Sequence, residues 1–164
     1  MKKNILLIGM PGCGKSSIGK ALSKSMDLKY IDMDDYIEKK TGKAISELFE
    51  KGEDYFRDIE TECAKEISNM ENMLISAGGG IILRKKNMDF LKKTSTVIFI
   101  NRSVKNLLKS KNLGANRPLL KDNENHIYKL YNDRIELYKK YADIEVDNNG
   151  YFKNCVEEIM IKIR

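Results

Sequence analysis

Cysteine is scarce in this chain, and what little there is forms no pattern. Cys13, Cys63 and Cys155 are odd in number and make no C-x-x-C pair. That argues against a disulfide framework and against a zinc site, and it fits a reducing compartment. Long apolar runs are missing too. The longest, "NILLIGM" and "TVIFI", fall far short of the ~20 residues a membrane span needs. The opening "MKKNILLIGMPGCGK" sets two lysines before an apolar run, as a signal peptide would. The run gives way at once to a glycine motif with its own chemistry, so it reads as a strand, and the chain is expected in the cytoplasm, away from membranes. Proline occurs twice, and no Pro- or Ser-rich linker, repeat or low-complexity stretch divides the 164 residues. One domain, residues 1–164, is the simplest organisation. Charge of one sign is not segregated. The net charge is +6, but lysines alternate with acids along the whole chain, as on solvated helix faces rather than a nucleic-acid surface. The excess suits an anionic small molecule better. His126, the only histidine, reads as a surface residue.

The apolar fraction of 41% and charged fraction of 33% belong to a chain that folds around a core. Short strand-like runs alternate with helical patterns. Strands are expected at Asn4–Ile8, Lys29–Asp32, Met73–Ser76, Thr96–Ile100 and Asp143–Val146, with helices between them and a last helix near Tyr151–Ile161. In that last helix Val156, Ile159, Met160 and Ile163 recur at helical spacing. Such alternation implies parallel pairing through crossovers, hence an α/β layered fold. The stretch Ser110–Glu124 has no periodicity, which marks either a functional lid or disorder.

"GMPGCGKS" places Gly9, Gly14, Lys15 and Ser16 in the pattern G-x-x-x-x-G-K-[ST], between a strand and a helix. Its glycines let backbone N–H groups curl around phosphates, and the helix N-terminus adds partial positive charge. Lys15 can reach the β- and γ-phosphates, and the Ser16 hydroxyl can ligate Mg²⁺. The chain is therefore expected to bind a nucleoside triphosphate. Cys13 lies beside Lys15 and a helix start, which could lower its thiol pKa; the simpler reading is a small residue tolerated there.

A GTPase would carry an N-K-x-D segment to read guanine, and none is present. No strand ends in the aspartate of the usual second nucleotide motif; the third ends in Gly78, Gly79 and Gly80 instead. A carboxylate for the metal must come from elsewhere. In "KYIDMDDYI", Asp32 and Asp34 share one face if the second strand continues through them, at the edge where open α/β sheets bind ligands. Asp32 could then hold Mg²⁺ through water, and Asp34 could accept from a hydroxylated substrate. Asp35 is expected to cap the following helix. Arg57 and Glu60 lie three apart on a helix, for which a solvated ion pair is the default. Arg117 precedes Pro118 and is biased to extended backbone. Arg134 follows on a helix, with Tyr138 one turn on.

Together these residues resemble the shikimate kinases over essentially the whole chain. The likeness rests on Gly9–Ser16, the D-x-D of Asp32 and Asp34, the F-R-x-x-E of Phe56, Arg57 and Glu60, Gly78–Gly80, the R-P-L-L of Arg117–Leu120, and Arg134, Tyr138, Ala142 and Asp143. The resemblance implies a P-loop kinase fold with three α/β/α layers around a five-stranded parallel sheet in the order 2-3-1-4-5. It implies transfer of the γ-phosphoryl of ATP to the 3-hydroxyl of shikimate, on the route to chorismate and aromatic amino acids, by a monomer. ATP and Mg²⁺ are the implied cofactors. Gly12, Cys13, Gly14, Lys15, Ser16, Ser17 and Arg117 would hold the nucleotide, with Ser16 and Asp32 on the metal. Asp34, Arg57, Gly78–Gly80 and Arg134 would hold shikimate, the two arginines on its carboxylate. Lys15, Asp34 and Arg117 would carry the chemistry, Asp34 as base and the other two neutralising charge on the transferred group, while Glu60 positions Arg57. The acceptor region would span about 33–61 and the lid about 110–124.

The chain departs from the family at the adenine end. Ser110, between Lys109 and Lys111, stands where an arginine often stacks on the base, and a lysine would be a weaker cation–π partner. "VDNNGYF" likewise lacks an arginine or proline often found there. The triple glycine is expected to be a floor that the acceptor ring approaches closely, with no room for a Cβ. A gluconate-kinase-like sugar kinase is the rival enzyme. A regulatory or nucleic-acid module is the rival from another class, and it lacks an aromatic and basic face.

Overall fold

A computed structural model describes residues 2–109 and 124–164. Five strands make one sheet: β1 (Asn4–Ile8), β2 (Lys29–Asp32), β3 (Met73–Ser76), β4 (Ser95–Asn101) and β5 (Ile144–Asp147). Every pairing is parallel and the spatial order is β2-β3-β1-β4-β5. The central strand shows why the run "NILLI" carries no alternation: all five of its residues are buried. A parallel strand covered by helices on both faces has no solvent side to mark with polar residues.

The connections are α1 (Lys15–Met26) after β1, then α2 (Met33–Thr41), α3 (Ile45–Glu50) and α4 (Glu53–Ser68) between β2 and β3. A 3₁₀ turn (Ile81–Leu83) and α5 (Lys85–Lys92) lead to β4; α6 (Val104–Leu107) and α7 (Glu124–Tyr141) lead to β5; α8 (Phe152–Ile163) closes the chain. No described helix is long and apolar enough to cross a membrane.

The three helices between β2 and β3 have a small core of their own, built from Ile37, Ile45, Leu48, Phe56 and Cys63 beside the main core under the sheet. Phe49 stacks on Phe56 with ring centroids 4.4 Å apart. Across the outer side, Glu66 of α4 accepts from the Tyr36 hydroxyl of α2 at 2.6 Å and pairs with Lys40. That carboxylate pushes the Tyr36 phenol up to about 12. Two helices are thus tied together on both sides, and each brings one side chain to the site described next.

Candidate active site

The chain leaves β1 into the glycine loop at the C-terminal edge of the sheet. There β1 lies between β3 on one side and β4 on the other, the switch point where open α/β sheets bind ligands. Gly12 (φ 83°) and Gly14 (φ 104°) take left-handed conformations that other residues rarely adopt. The first helical bond of α1 runs from the Ile18 N–H to Gly14 O at 3.0 Å. The Ser16 and Ser17 amides therefore precede the helical ladder and face the loop end. Lys15 is buried, and its Nζ donates to Gly9 O at 2.8 Å and Met10 O at 3.0 Å. The ammonium sits on the carbonyl lip of its own loop. Cys13 is fully buried, and burial holds the Cys63 and Cys155 thiols up at about 11 and about 12. Those two are therefore inert protonated thiols.

The structure corrects the reading of "IDMDDY". β2 stops at Asp32, and Asp34 lies in the first turn of α2 rather than on an extended strand. Asp32, not Asp35, caps that helix: its Oδ1 accepts from the Asp35 N–H at 3.1 Å. Its other oxygen accepts from the Ser16 hydroxyl at 3.3 Å. Asp35 is exposed, and its carboxyl is raised by partial desolvation and then by the Asp32 charge. A hydroxyl and a carboxylate side by side at the mouth of a phosphate loop are the hard oxygen donors that Mg²⁺ prefers. Ser16 and Asp32 therefore fit the ion.

Arg57 and Glu60 are not a solvated pair. Arg57 is 5% exposed and Glu60 is fully buried, and they bond at 3.0 Å. Glu53, one turn earlier, accepts from the other Arg57 nitrogen at 3.2 Å, and the Phe49 and Phe56 rings lie beneath the guanidinium. Gly78, Gly79 and Gly80 follow β3 and are all buried. A Cβ on Gly80 would stand 2.6 Å from Arg57 Cζ, and one on Gly79 would meet Pro11 at 2.8 Å and Arg134 Nη1 at 3.3 Å. So the space a side chain would need is filled by two arginines and the phosphate loop, not only by an incoming ring. Arg134, on α7, is 5% exposed. One turn on, the Tyr138 hydroxyl donates to Gly79 O at 2.6 Å, and its ring stacks on Phe99. His126 is half-buried at the start of α7 rather than a surface residue.

Arg57, the glycines and Arg134 thus gather beside the phosphate loop, and Asp34 lies in the first turn of the helix that follows β2. Arg117, Ser110, Lys111 and most of the expected lid lie outside the described residues. Sequence reading missed Glu53, whose spacing from Arg57 was its one signal. It also missed Arg102 and Asn148, polar residues just past the ends of β4 and β5, which donate to loop carbonyls. Their position at the ligand edge of the sheet was the signal available.

A family model described as "Shikimate kinase" matches residues 11–164. A shikimate kinase of Clostridium botulinum (strain Alaska E43 / Type E3) is 49% identical over 159 residues, covering 97% of this chain and 96% of that protein. The solved shikimate kinase from Acinetobacter baumannii in complex with shikimate is similar at a TM-score of 0.93 and 31% identity, over 99% of this chain and 93% of that one. A gluconokinase from Sinorhizobium meliloti 1021 shares the fold alone, with a TM-score of 0.59 and 13% identity over 95% of this chain and 88% of that one.

Proposed function

The chain belongs to the shikimate kinase family, and from that premise we infer that it transfers the γ-phosphoryl group of ATP to the 3-hydroxyl of shikimate. The observation that carries the reading is the convergence of two buried guanidinium groups, Arg57 and Arg134, on adjacent glycines beside the phosphate loop. Buried, pre-aimed guanidinium forks suit a planar carboxylate on a compact ring. The backbone of Gly78–Gly80 lets that ring approach closely, and Asp34 is proposed to hold the attacking hydroxyl and accept its proton.

Phosphoryl transfer asks the protein mainly for position and charge. Lys15 exchanges its bonds to Gly9 and Met10 for the phosphates and follows the transferred group. The amides of Gly12, Gly14, Ser16 and Ser17 line the cradle, while the Cys13 N–H closes the loop on Met10 O at 3.1 Å. Mg²⁺, held by Ser16 and Asp32, supplies charge neutralisation on the phosphates when bound. Arg117 is proposed to do the same from the opposite side. Glu60 and Glu53 keep the Arg57 fork aimed and take no part in the chemistry. Residues 1–164 are proposed to act as one kinase domain, with the acceptor region at about 33–61, and as a monomer.

An ADP-release assay run with shikimate, with gluconate and with no acceptor tests the reading. Release is expected with shikimate alone. Equal release with gluconate, or release that needs no acceptor, would overturn it. Gly80→Ala gives a sharper check. A Cβ there forces the Arg57 guanidinium to move, so the KM for shikimate should rise about tenfold or more while the KM for ATP stays within twofold. An unchanged shikimate KM would show that Arg57 does not set acceptor binding.

A further inference from the structure

Two side chains brace the phosphate loop from the side away from the acceptor. Arg102, just past β4, donates from Nη1 to Gly12 O at 3.0 Å. Asn148, just past β5, donates from Nδ2 to Cys13 O at 2.8 Å and is 7% exposed. The backbones that carry them are themselves fixed. The Asn148 N–H extends the sheet to Asn101 O at 2.8 Å, and Asn149 Oδ1 accepts from the Ser103 N–H at 2.8 Å and from Asn106 at 3.0 Å. The two loops therefore move as a unit with the sheet.

The carbonyls they hold belong to consecutive peptides. In a trans peptide the C=O and N–H point in opposite directions, so a donor seated on the carbonyl decides where the amide aims. The Gly12–Cys13 peptide is held at both ends, because the Cys13 N–H bonds to Met10 O at 3.1 Å. The Cys13–Gly14 peptide is held by Asn148 at its carbonyl, which turns the Gly14 N–H to the opposite side. Gly12 and Gly14 both have positive φ, the geometry in which successive amides form a concavity for anions. Asn148 also presses on the loop: a Cβ at Gly14 would come within 2.5 Å of its Nδ2.

We propose that Arg102 and Asn148 are positioning residues for the nucleotide phosphates, Asn148 by turning the Gly14 N–H toward the anion and Arg102 by fixing the Met10–Cys13 turn that leads into it, and that they so set affinity for ATP without touching the acceptor. The proposal rests on the phosphoryl-transfer reading above. It is tested by steady-state kinetics on Asn148→Leu, Arg102→Met and Arg102→Lys. Asn148→Leu keeps the side-chain bulk but removes the donor. It should raise the KM for ATP about tenfold, the scale of one buried acceptor left unmet. Arg102→Met should raise it several-fold, and Arg102→Lys should recover most of that. The KM for shikimate should stay within twofold in every variant, the melting temperature should hold in the Arg102 variants, and the ATP-to-GTP ratio of kcat/KM should not change. Arg102 is only half-buried, so its variants fold even if Asn148→Leu does not.

Unchanged KM for ATP in both Asn148→Leu and Arg102→Met would overturn the proposal. So would a parallel rise in both KM values with a lower melting temperature, which marks a general structural role. A shifted ATP-to-GTP ratio would overturn it as well, because it would make these residues readers of the base. Calorimetric titration of ADP separates this inference from the choice of acceptor. Weaker ADP binding by the variants supports it even if the wild type fails to phosphorylate shikimate.

Discussion

Replacing Arg57 with methionine is expected to cut kcat/KM for shikimate by at least a hundredfold and to lower the melting temperature at the same time. Arg57 is proposed to have two duties, and one substitution removes both. Toward the acceptor it is proposed to offer a planar, charged fork, and because Arg57 is buried a lost charged donor there costs more than at a surface. Toward the fold it is the partner of Glu60, which is fully buried. Removing one member of a buried pair costs about 3 kcal/mol. In a chain of this size that corresponds to a drop of about 6–12 °C in melting temperature. The two duties separate in a second variant. Arg57→Met combined with Glu60→Leu replaces the pair with apolar groups, which is often neutral or better for stability. The double variant should recover most of the lost melting temperature and none of the activity with shikimate. Recovery of both, measured by thermal unfolding and by ADP release, would mean that Arg57 serves only the fold.

Lys15→Met should have the largest effect on turnover. Its ammonium lies in the loop between Gly9 O and Met10 O, and it is proposed to turn from them to the transferred phosphoryl group. Charge developing there has no bulk water to stabilise it once the site is filled. A single preorganised donor of this kind is worth about 10²–10³ in kcat, and a charged one belongs at the upper end. Calorimetry should show shikimate binding unchanged, since Lys15 is proposed to serve the nucleotide and not the acceptor. A loss of less than tenfold in kcat would remove Lys15 from the chemistry.

Much of the fold was legible because parallel buried strands are short, apolar and bounded by turns. The expected ranges for the first three strands agree with β1, β2 and β3 residue for residue. The phosphate loop was legible for the same reason: its glycines, lysine and serine follow a strand and open a helix. The order of strands was not in the periodicity, and came with the family resemblance. "IDMDDY" misled because Asp32 and Asp35 have identical capping chemistry. Which of them caps depends on where the backbone leaves the sheet, and the Ser16 hydroxyl waiting beside Asp32 is sixteen residues away in sequence.

Arg57 and Glu60 show the limit most clearly. Three residues apart on a helix, they have the spacing of any surface pair, and nothing local distinguishes a buried pair from a wet one. Burial came from packing: the small core of α2, α3 and α4 lies on one side and Gly80 on the other. The sequence by itself determined the α/β class, the phosphate loop and the family, since each is written in contiguous residues or ordered motifs. Only the tertiary structure decided what the glycines face, which aspartate caps, and that Arg102 and Asn148 hold the loop. Those are contacts between residues as much as 135 positions apart. A contact of that kind is set by how the strands stack side by side, and no local pattern of residue types carries it.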